Sequence, residues 1–518
     1  MSHLPLLVAI LLAQPIDPLE MLWSHRIGLS GGEPSIAIRI AEQRDEIALT
    51  TRGATSLEPR GAQGSGLPAG VRLRALVRGG VPARAAWSPL LAQFEASDRT
   101  GVREARERWS DRGVPTRTRS VGGVYAISGR VIDNRRTLVV AQGPFTEASA
   151  LAFAAEAWRR WGERLESLPE VESQPDGTVE VLGERGEVLA RGDRLVVIDA
   201  GAAGLSVDGK DQRGRVHLTV DASGKLAAVL VIPLEELLRG LVPSEMPAGA
   251  PQEALRAQAV TARSNVLAQI GTRHLGDPWS ICSDVHCQAY RGESAHVAST
   301  DAAVRATRGE ALLAREGGRL VDGVYSAMCG GHGEDNERVW GGTPSPSLRG
   351  RPDLVAATSD WSGGLATEAR LAAFLAESPQ AWCARAPGAR ADRYRWERRI
   401  PQPEVDRLVA GLGVGSVDAL TVLRRGTSGR ALSLRVDGER GSVTVHGELR
   451  IRRLFGDLPS AMFLVAGSPD GWIFRGGGWG HGVGMCQWGA IGRAAAGQDH
   501  RRILGAYFSE ADVARVYE

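Results

Sequence analysis

The stretch LVPSEMPAGAPQEALRAQAVTARS, residues 241–264, sets one carboxylate, Glu245, between a serine and a Met-Pro and follows it with a helical pattern. From Pro251 the apolar positions Leu255, Ala259, Ala262, Val266 and Ile270 step by four, three, four and four, which is one face of a helix. Pro247 and Pro251 fix the chain on entry and suit the approach to a first turn. On this reading Glu245 lies just upstream of a helix N-terminus, where the dipole favours a carboxylate. A pure cap would be Ser, Thr, Asp or Asn directly at the N-cap. Two prolines and Met246 around Glu245 point instead to a rigid, partly apolar pocket, which suits a general acid near neutral pH. Spacing alone leaves capping and acid–base chemistry both open.

Working outward, the 518-residue chain is long enough for three or four domains, and 43% of it is hydrophobic. Its net charge of +2 demands no nucleic-acid partner, and Arg-rich runs such as Arg450-Ile-Arg452-Arg453 read as solvated surface. Leu4 to Ala13 is an apolar run of signal-peptide length, so residues 1–14 are expected to be an export signal, with a buried strand as the alternative. The five cysteines, Cys282, Cys287, Cys329, Cys383 and Cys486, are too few for a disulfide-built scaffold.

Residues 34–50 alternate apolar and polar and read as strands; a Gly/Pro/Arg-rich stretch to about residue 85 reads as loop or linker. Strands are expected within 122–131 and 136–145. A helix should follow over 146–162, with Thr146 as N-cap and Leu151, Ala154, Trp158 and Trp161 on one stripe. This β-β-α unit loosely resembles a sporulation-related-repeat peptidoglycan-binding domain. Residues 178–232 read as all-β, and strands return from about 416 to 478, with a hairpin around Asp437-Gly438 and Arg440-Gly441. The end, ILGAYFSEADVARVY, reads as a short helix and tail. The fold class is α+β and multi-domain: a small β module at 22–65, an α/β module at 75–170, a β subdomain at 175–232 and one mixed catalytic region at 233–518.

Four ordered stretches, VIPLEELLRGLVPSEMP with its helix, CQAYRGE (287–293), VYSAMCGGHGEDNERVWGG (324–342) and GGGWGHGVGMCQWGA (476–490), closely resemble the motifs of the SpoIID/LytB family of stage II sporulation protein D and amidase-enhancer proteins. The resemblance spans roughly residues 190–510. It implies action on peptidoglycan by a lytic transglycosylase with Glu245 as catalytic acid. That acid protonates the glycosidic oxygen between N-acetylmuramic acid and N-acetylglucosamine, the muramic 6-hydroxyl attacks C1, and the carboxylate takes its proton. No water need be activated, so one carboxylate suffices. The resemblance also implies substrate contacts for Gln258, Arg263, Gln288, Tyr325, Ser326, Trp479, His481 and Gln487. For Gln258 and Arg263 the alternative is a solvated helix face, and for His481 a buried turn residue.

His274, Cys282, His286 and Cys287 fall within fourteen residues and make a plausible tetrahedral Zn²⁺ set, closed and hence structural. A Cys282–Cys287 disulfide is the competing reading. Cys329 and Cys383 are either bridged or two buried thiols, and Cys486 has no assigned role. The glycine-rich stretch has no GxGxxG and no Gly-Lys-Ser/Thr, which argues against a nucleotide phosphate loop. Alternating glycines there would let the backbone approach a ligand or another strand. The resulting expectation is an exported protein of the periplasm or cell envelope. Its expected partners are peptidoglycan glycan strands and a cell-wall amidase, with no nucleic acid and no nucleotide. Its rival is a non-catalytic wall-binding enhancer of an N-acetylmuramoyl-L-alanine amidase. A zinc hydrolase has no His-Glu-x-x-His to support it.

Overall fold

The computed structural model describes residues 17–518 except 128–129, 162, 164, 285–286 and 289. The expected signal segment 1–14 lies outside these residues. The fold is α+β and multi-domain, as the sequence pattern implies.

Two antiparallel sheets form the first body. One runs in the order Gly28–Ser30, Glu33–Arg44, Leu226–Pro233, Arg215–Val220, Leu195–Asp199, Thr55–Pro59, Ser65–Leu67, with Ile281–Cys282 added in parallel to Glu33–Arg44. The other runs Val188–Asp193, Asp176–Leu182, Arg72–Val81, Glu46–Thr51, Leu205–Val207, Lys210–Gln212. Ile36, Ile38, Leu57, Val196 and Leu230 of the first share one core with Ile47, Leu49, Leu73, Ala75, Val179 and Val181 of the second. The segments 22–65 and 175–232 are therefore one unit, not two modules. The stretch read as linker holds three strands. Within RLRALV (72–77) Leu73 and Ala75 alternate with arginines, so the apolar side is buried while Arg74 pairs with Glu46.

The α/β module is inserted between the halves of this body. Its sheet runs Glu166–Ser173, Arg84–Glu95, Arg136–Ala141, Thr116–Val121, covered by helices Arg99–Asp111 and Glu147–Trp161. Thr146 caps the second helix through Ser149 N–H at 3.3 Å. The buried side of that helix is Ala150, Ala157 and the half-buried Phe153 and Trp161, not the expected stripe, for Leu151 is exposed. Trp161 stands edge-on to the buried Trp109, with Arg112 over both rings.

The helix Gln252–Gln269 is the axis of the molecule. Ala259, Ala262, Val266 and Leu267 face the double-sheet core, while Ala254, Leu255, Ala257 and Val260 face a second core with Met328, Met485, Ile491 and Leu504. It is buried all round, so the one-faced amphipathic reading fails. Residues 395–477, expected to belong to a single region, form a lobe with its own core of Ile400, Val405, Leu434, Phe455, Phe463 and Phe474. The hairpin Ala431–Gly438/Gly441–His446 turns where expected. The C-terminal tail is a strand, Ala511–Arg515, paired with Glu310–Ala314.

Candidate functional site

A long open cleft runs between the inserted α/β module, the central helix and the C-terminal parts. Glu245, Asn265, Gln288, Asp322, Tyr325, Trp340 and His481 all line it. Glu245 is the last residue of a helix, Leu234–Glu245, and not an approach residue to the next. Met246 leaves that helix in an extended conformation and buries its side chain, and Pro247 turns the chain so that the next helix starts at Gln252. The unsatisfied carbonyls at a helix C-terminus disfavour a negative charge, the opposite of the environment expected from spacing. Glu245 is half-buried there, and its backbone carbonyl accepts from Gln487 Nε2 at 2.8 Å.

The groups beyond Glu245 form a chain whose protons can be counted. Gln288 Nε2 donates to the Ala262 carbonyl at 3.3 Å and to Asn265 Oδ1 at 2.7 Å, which fixes Oε1 as the acceptor. Tyr325 gives its hydroxyl proton to that Oε1 at 3.0 Å. The same hydroxyl contacts the Glu245 carboxyl; burial, together with this carboxyl, holds the phenol protonated well above its usual range. A tyrosine has one proton to give. A tyrosine hydroxyl rotates, so the same proton can instead go to the ionised Glu245 carboxyl, and the hydroxyl can accept when that carboxyl is protonated. Asn265 continues the chain: its Oδ1 also accepts from Gln269 Nε2 at 2.6 Å, and its Nδ2 donates to Asp322 Oδ1 at 2.7 Å.

His481 stands at the cleft beside Trp340, ring centroids 5.0 Å apart. Its Nδ1 accepts the Val483 N–H at 3.1 Å and its ring is also bonded to the Tyr325 backbone. Burial, with Arg430 adding its charge, pushes the imidazole down to about 3, so it is a neutral, fixed ring. Arg430 is itself fully buried and donates to the carbonyls of Cys329, His332 and Gly480, tying the two glycine-rich segments together. This explains the glycines. Gly482 has φ +82 and a Cβ there would lie 2.5 Å from the Arg430 guanidinium; at Gly484, φ +69, it would meet the Val324 carbonyl at 2.1 Å. The close approach is to neighbouring protein, in the parallel pairing of Tyr325–Ser326 with Met485–Cys486.

Several expected contacts lie elsewhere. Arg263 is fully buried and grips Glu235 with two bonds of 2.9 and 2.8 Å, with Tyr517 also donating to Glu235. It neither touches the cleft nor forms a solvated face. Gln258 is fully buried behind Gln487, and Gln487 is nearly so; both support the Glu245 backbone from inside. Ser326 is buried beside Gly480. Trp479 is 38% exposed but outside the cleft, stacked under Arg393 at 4.5 Å. Trp340, 55% exposed, is an indole that does line the cleft. Asn265 and Asp322 were missed. Their signal was the polar series Gln258, Thr261, Asn265, Gln269, spaced three, four and four on an Ala/Val helix.

His274, Cys282 and Cys287 present ligand atoms within 4.8 Å of one another. His274 Nε2 lies 3.2 Å from Cys287 Sγ, and its Nδ1 lies 3.1 Å from both Asp277 and Trp279 Nε1, an outer partner set that orients the ring. Both cysteines are free thiols, not a disulfide. The fourth expected ligand, His286, lies outside the described residues. The donor set suits Zn²⁺, which would tie the 274–287 loop to the sheet edge at Cys282.

Residues 222–313 match the family described as Stage II sporulation protein, and residues 334–484 match a domain of unknown function (DUF8618). An uncharacterised protein of Brachyspira hyodysenteriae is 26% identical over 312 residues, 60% of this chain and 74% of its own. The amidase enhancer of Bacillus subtilis is 27% identical over 321 residues, 59% of this chain and 44% of its own. The matched stretch thus spans less than half of that second relative. The Pro-Ser-Glu-Met-Pro helix end, Asn265 and Gln288 all fall within the residues that match the Stage II sporulation protein family.

Proposed function

We propose that this protein cuts peptidoglycan glycan strands as a lytic transglycosylase, with Glu245 as its single acid/base, in the cell envelope after export. The observation that carries this reading is the placement of Glu245. It is a half-buried carboxyl at a helix C-terminus, lining the open cleft and in contact with the Tyr325 hydroxyl, which can donate to the carboxylate and accept from the acid as a proton leaves and returns. The returning carboxylate then takes the proton of the muramic 6-hydroxyl. Asp322 also lines the cleft and is linked to Glu245 through Asn265, Gln288 and Tyr325, its carboxylate accepting from Asn265. Trp340 and the fixed His481 ring offer a face on which a sugar ring can stack. The open cleft suits a polymer. Zn²⁺ at His274, Cys282 and Cys287 would serve structure. No helix among the described residues is long and apolar enough to cross a membrane.

The name of the Bacillus subtilis relative supports the second reading, a wall-binding protein that stimulates an amidase. Incubation with peptide-free glycan strands separates the two. Release of soluble fragments by the unmutated protein and not by Glu245→Gln supports the enzyme. Strand binding without release, with faster turnover of intact, peptide-bearing peptidoglycan by an added amidase in either variant, supports the enhancer.

A further inference from the structure

A second group of ligand atoms lies away from the cleft, and the reading of the active site makes no use of it. Cys329, Cys383 and Cys486 are all buried, and their sulfurs lie within 4.8 Å of one another. They come from three separate places: the Cys-Gly-Gly turn, the short helix Trp382–Arg385, and the N-cap of the helix Gln487–Ala495. All three are free thiols, with Cys329 and Cys383 sulfurs 3.8 Å apart.

The surroundings are those of an anionic sulfur cluster. Cys486 Sγ accepts two backbone N–H groups, from Cys329 at 3.1 Å and Gly489 at 3.2 Å, at the N-terminus of a helix. Cys329 Sγ accepts the Gly331 N–H at 3.4 Å. N–H donors and a helix N-terminus stabilise thiolates. A disulfide would use two of the sulfurs, strand the third and leave these donors on weak acceptors. A carboxylate stands beside the group: Asp353 Oδ2 lies 3.5 Å from Cys329 Sγ and accepts from Tyr507 at 2.9 Å, while Arg493 holds Oδ1 at 2.7 Å. Arg493 supplies a positive charge against the negative charge that three thiolates would bring.

We propose that Cys329, Cys383 and Cys486 bind one thiophilic d¹⁰ cation, Zn²⁺, with Asp353 as the nearest fourth donor. Three sulfur ligands with a carboxylate suit this ion. Binding forms three Zn–S bonds and releases three thiol protons to solvent, with no change of oxidation state. Binding displaces the thiol protons, so occupancy falls as pH falls. The ion would clip the short helix at Cys383 to the two glycine-rich segments. One of these continues into Gln487, which holds the Glu245 carbonyl.

The test is anaerobic titration of the full-length, metal-stripped protein with Co²⁺, followed by Zn²⁺ displacement. Cobalt–thiolate charge-transfer absorbance should saturate at an intensity set by five thiolates when both Cys groups bind, and by three in Cys282→Ser/Cys287→Ser. Absorbance matching only the two thiolates of the 282/287 group, or none in that double variant while it remains folded by circular dichroism, overturns the proposal. A Cys329–Cys383 disulfide mapped in protein purified without added oxidant overturns it too. If the double variant does not fold, the unmutated protein still decides between five thiolates and two. Neither result depends on glycan cleavage.

Discussion

At the residue scale the chemistry rests on where Glu245 gets its proton. A helix C-terminus opposes its charge, while the Tyr325 hydroxyl contacts the carboxyl and can donate to it once the proton has left. Replacing Glu245 with Gln keeps the shape and removes the transferable proton. Glycan cleavage should fall by roughly 10²–10⁴-fold, the range for loss of a general acid. Thermal unfolding should shift by no more than the ~0.5 kcal/mol typical of a surface change. Tyr325→Phe removes a hydroxyl that donates to the ionised carboxyl, so the carboxyl should ionise at higher pH. The alkaline limb of the pH–rate profile should then move to higher pH; an unmoved limb would show that Tyr325 has no part in tuning Glu245. That Glu245 lines the cleft was legible in the sequence because its motif is short and contiguous. Trp340 was not distinguished from Trp479, because which indole enters the cleft depends on the turns around Gly478–Gly482 and on Arg393 covering Trp479.

At the scale of elements, the helix Gln252–Gln269 shows what periodicity conveys and what it does not. Its existence, length and four core positions follow from the apolar steps. That it has two cores, one on each side, does not, since the second is built from residues 328–511. Arg263 was therefore read as reaching sugar, although it lies in the interior against Glu235. A fully buried guanidinium depends on that partner. Glu235→Gln should destabilise the protein by about 3–5 kcal/mol, the cost of leaving a buried charge unpaired. Denaturant unfolding measures this directly; a change below about 1 kcal/mol would mean that Arg263 finds a substitute partner. Tyr517→Phe, which removes a single hydroxyl donor to the same carboxylate, should cost about 1 kcal/mol.

At the scale of the whole molecule, several histidines among the described residues are held neutral by burial; His25, His217 and His332 are lowered to about 4 and His481 to about 3. Unfolding frees them to protonate near 6.5, so below that pH the unfolded chain binds more protons than the folded one. Stability should therefore be fully present above about pH 6.5 and should fall as pH drops toward 4, each histidine adding a slope of about 1.4 kcal/mol per pH unit. Unfolding followed across that window checks it; a flat profile would contradict the burial of these rings. The layout of the molecule was the least legible part. Strands were found where residues alternate, but the sharing of one double sheet by 28–81 and 176–233 depends on pairings more than a hundred residues apart, such as Leu226–Pro233 with Glu33–Arg44. Composition misled at 52–85, where arginines mark the outer side of strands and not a linker.

The central claim is that one carboxylate does the work and that the substrate's own hydroxyl, not water, attacks. Digestion of peptide-free glycan strands in H₂¹⁸O, with mass spectrometry of the new chain ends, tests it most directly. The account predicts 1,6-anhydromuramic ends without ¹⁸O, formed by the unmutated protein and absent with Glu245→Gln. Reducing ends carrying ¹⁸O would mean that a water is activated, and with it a second catalytic group that this account excludes.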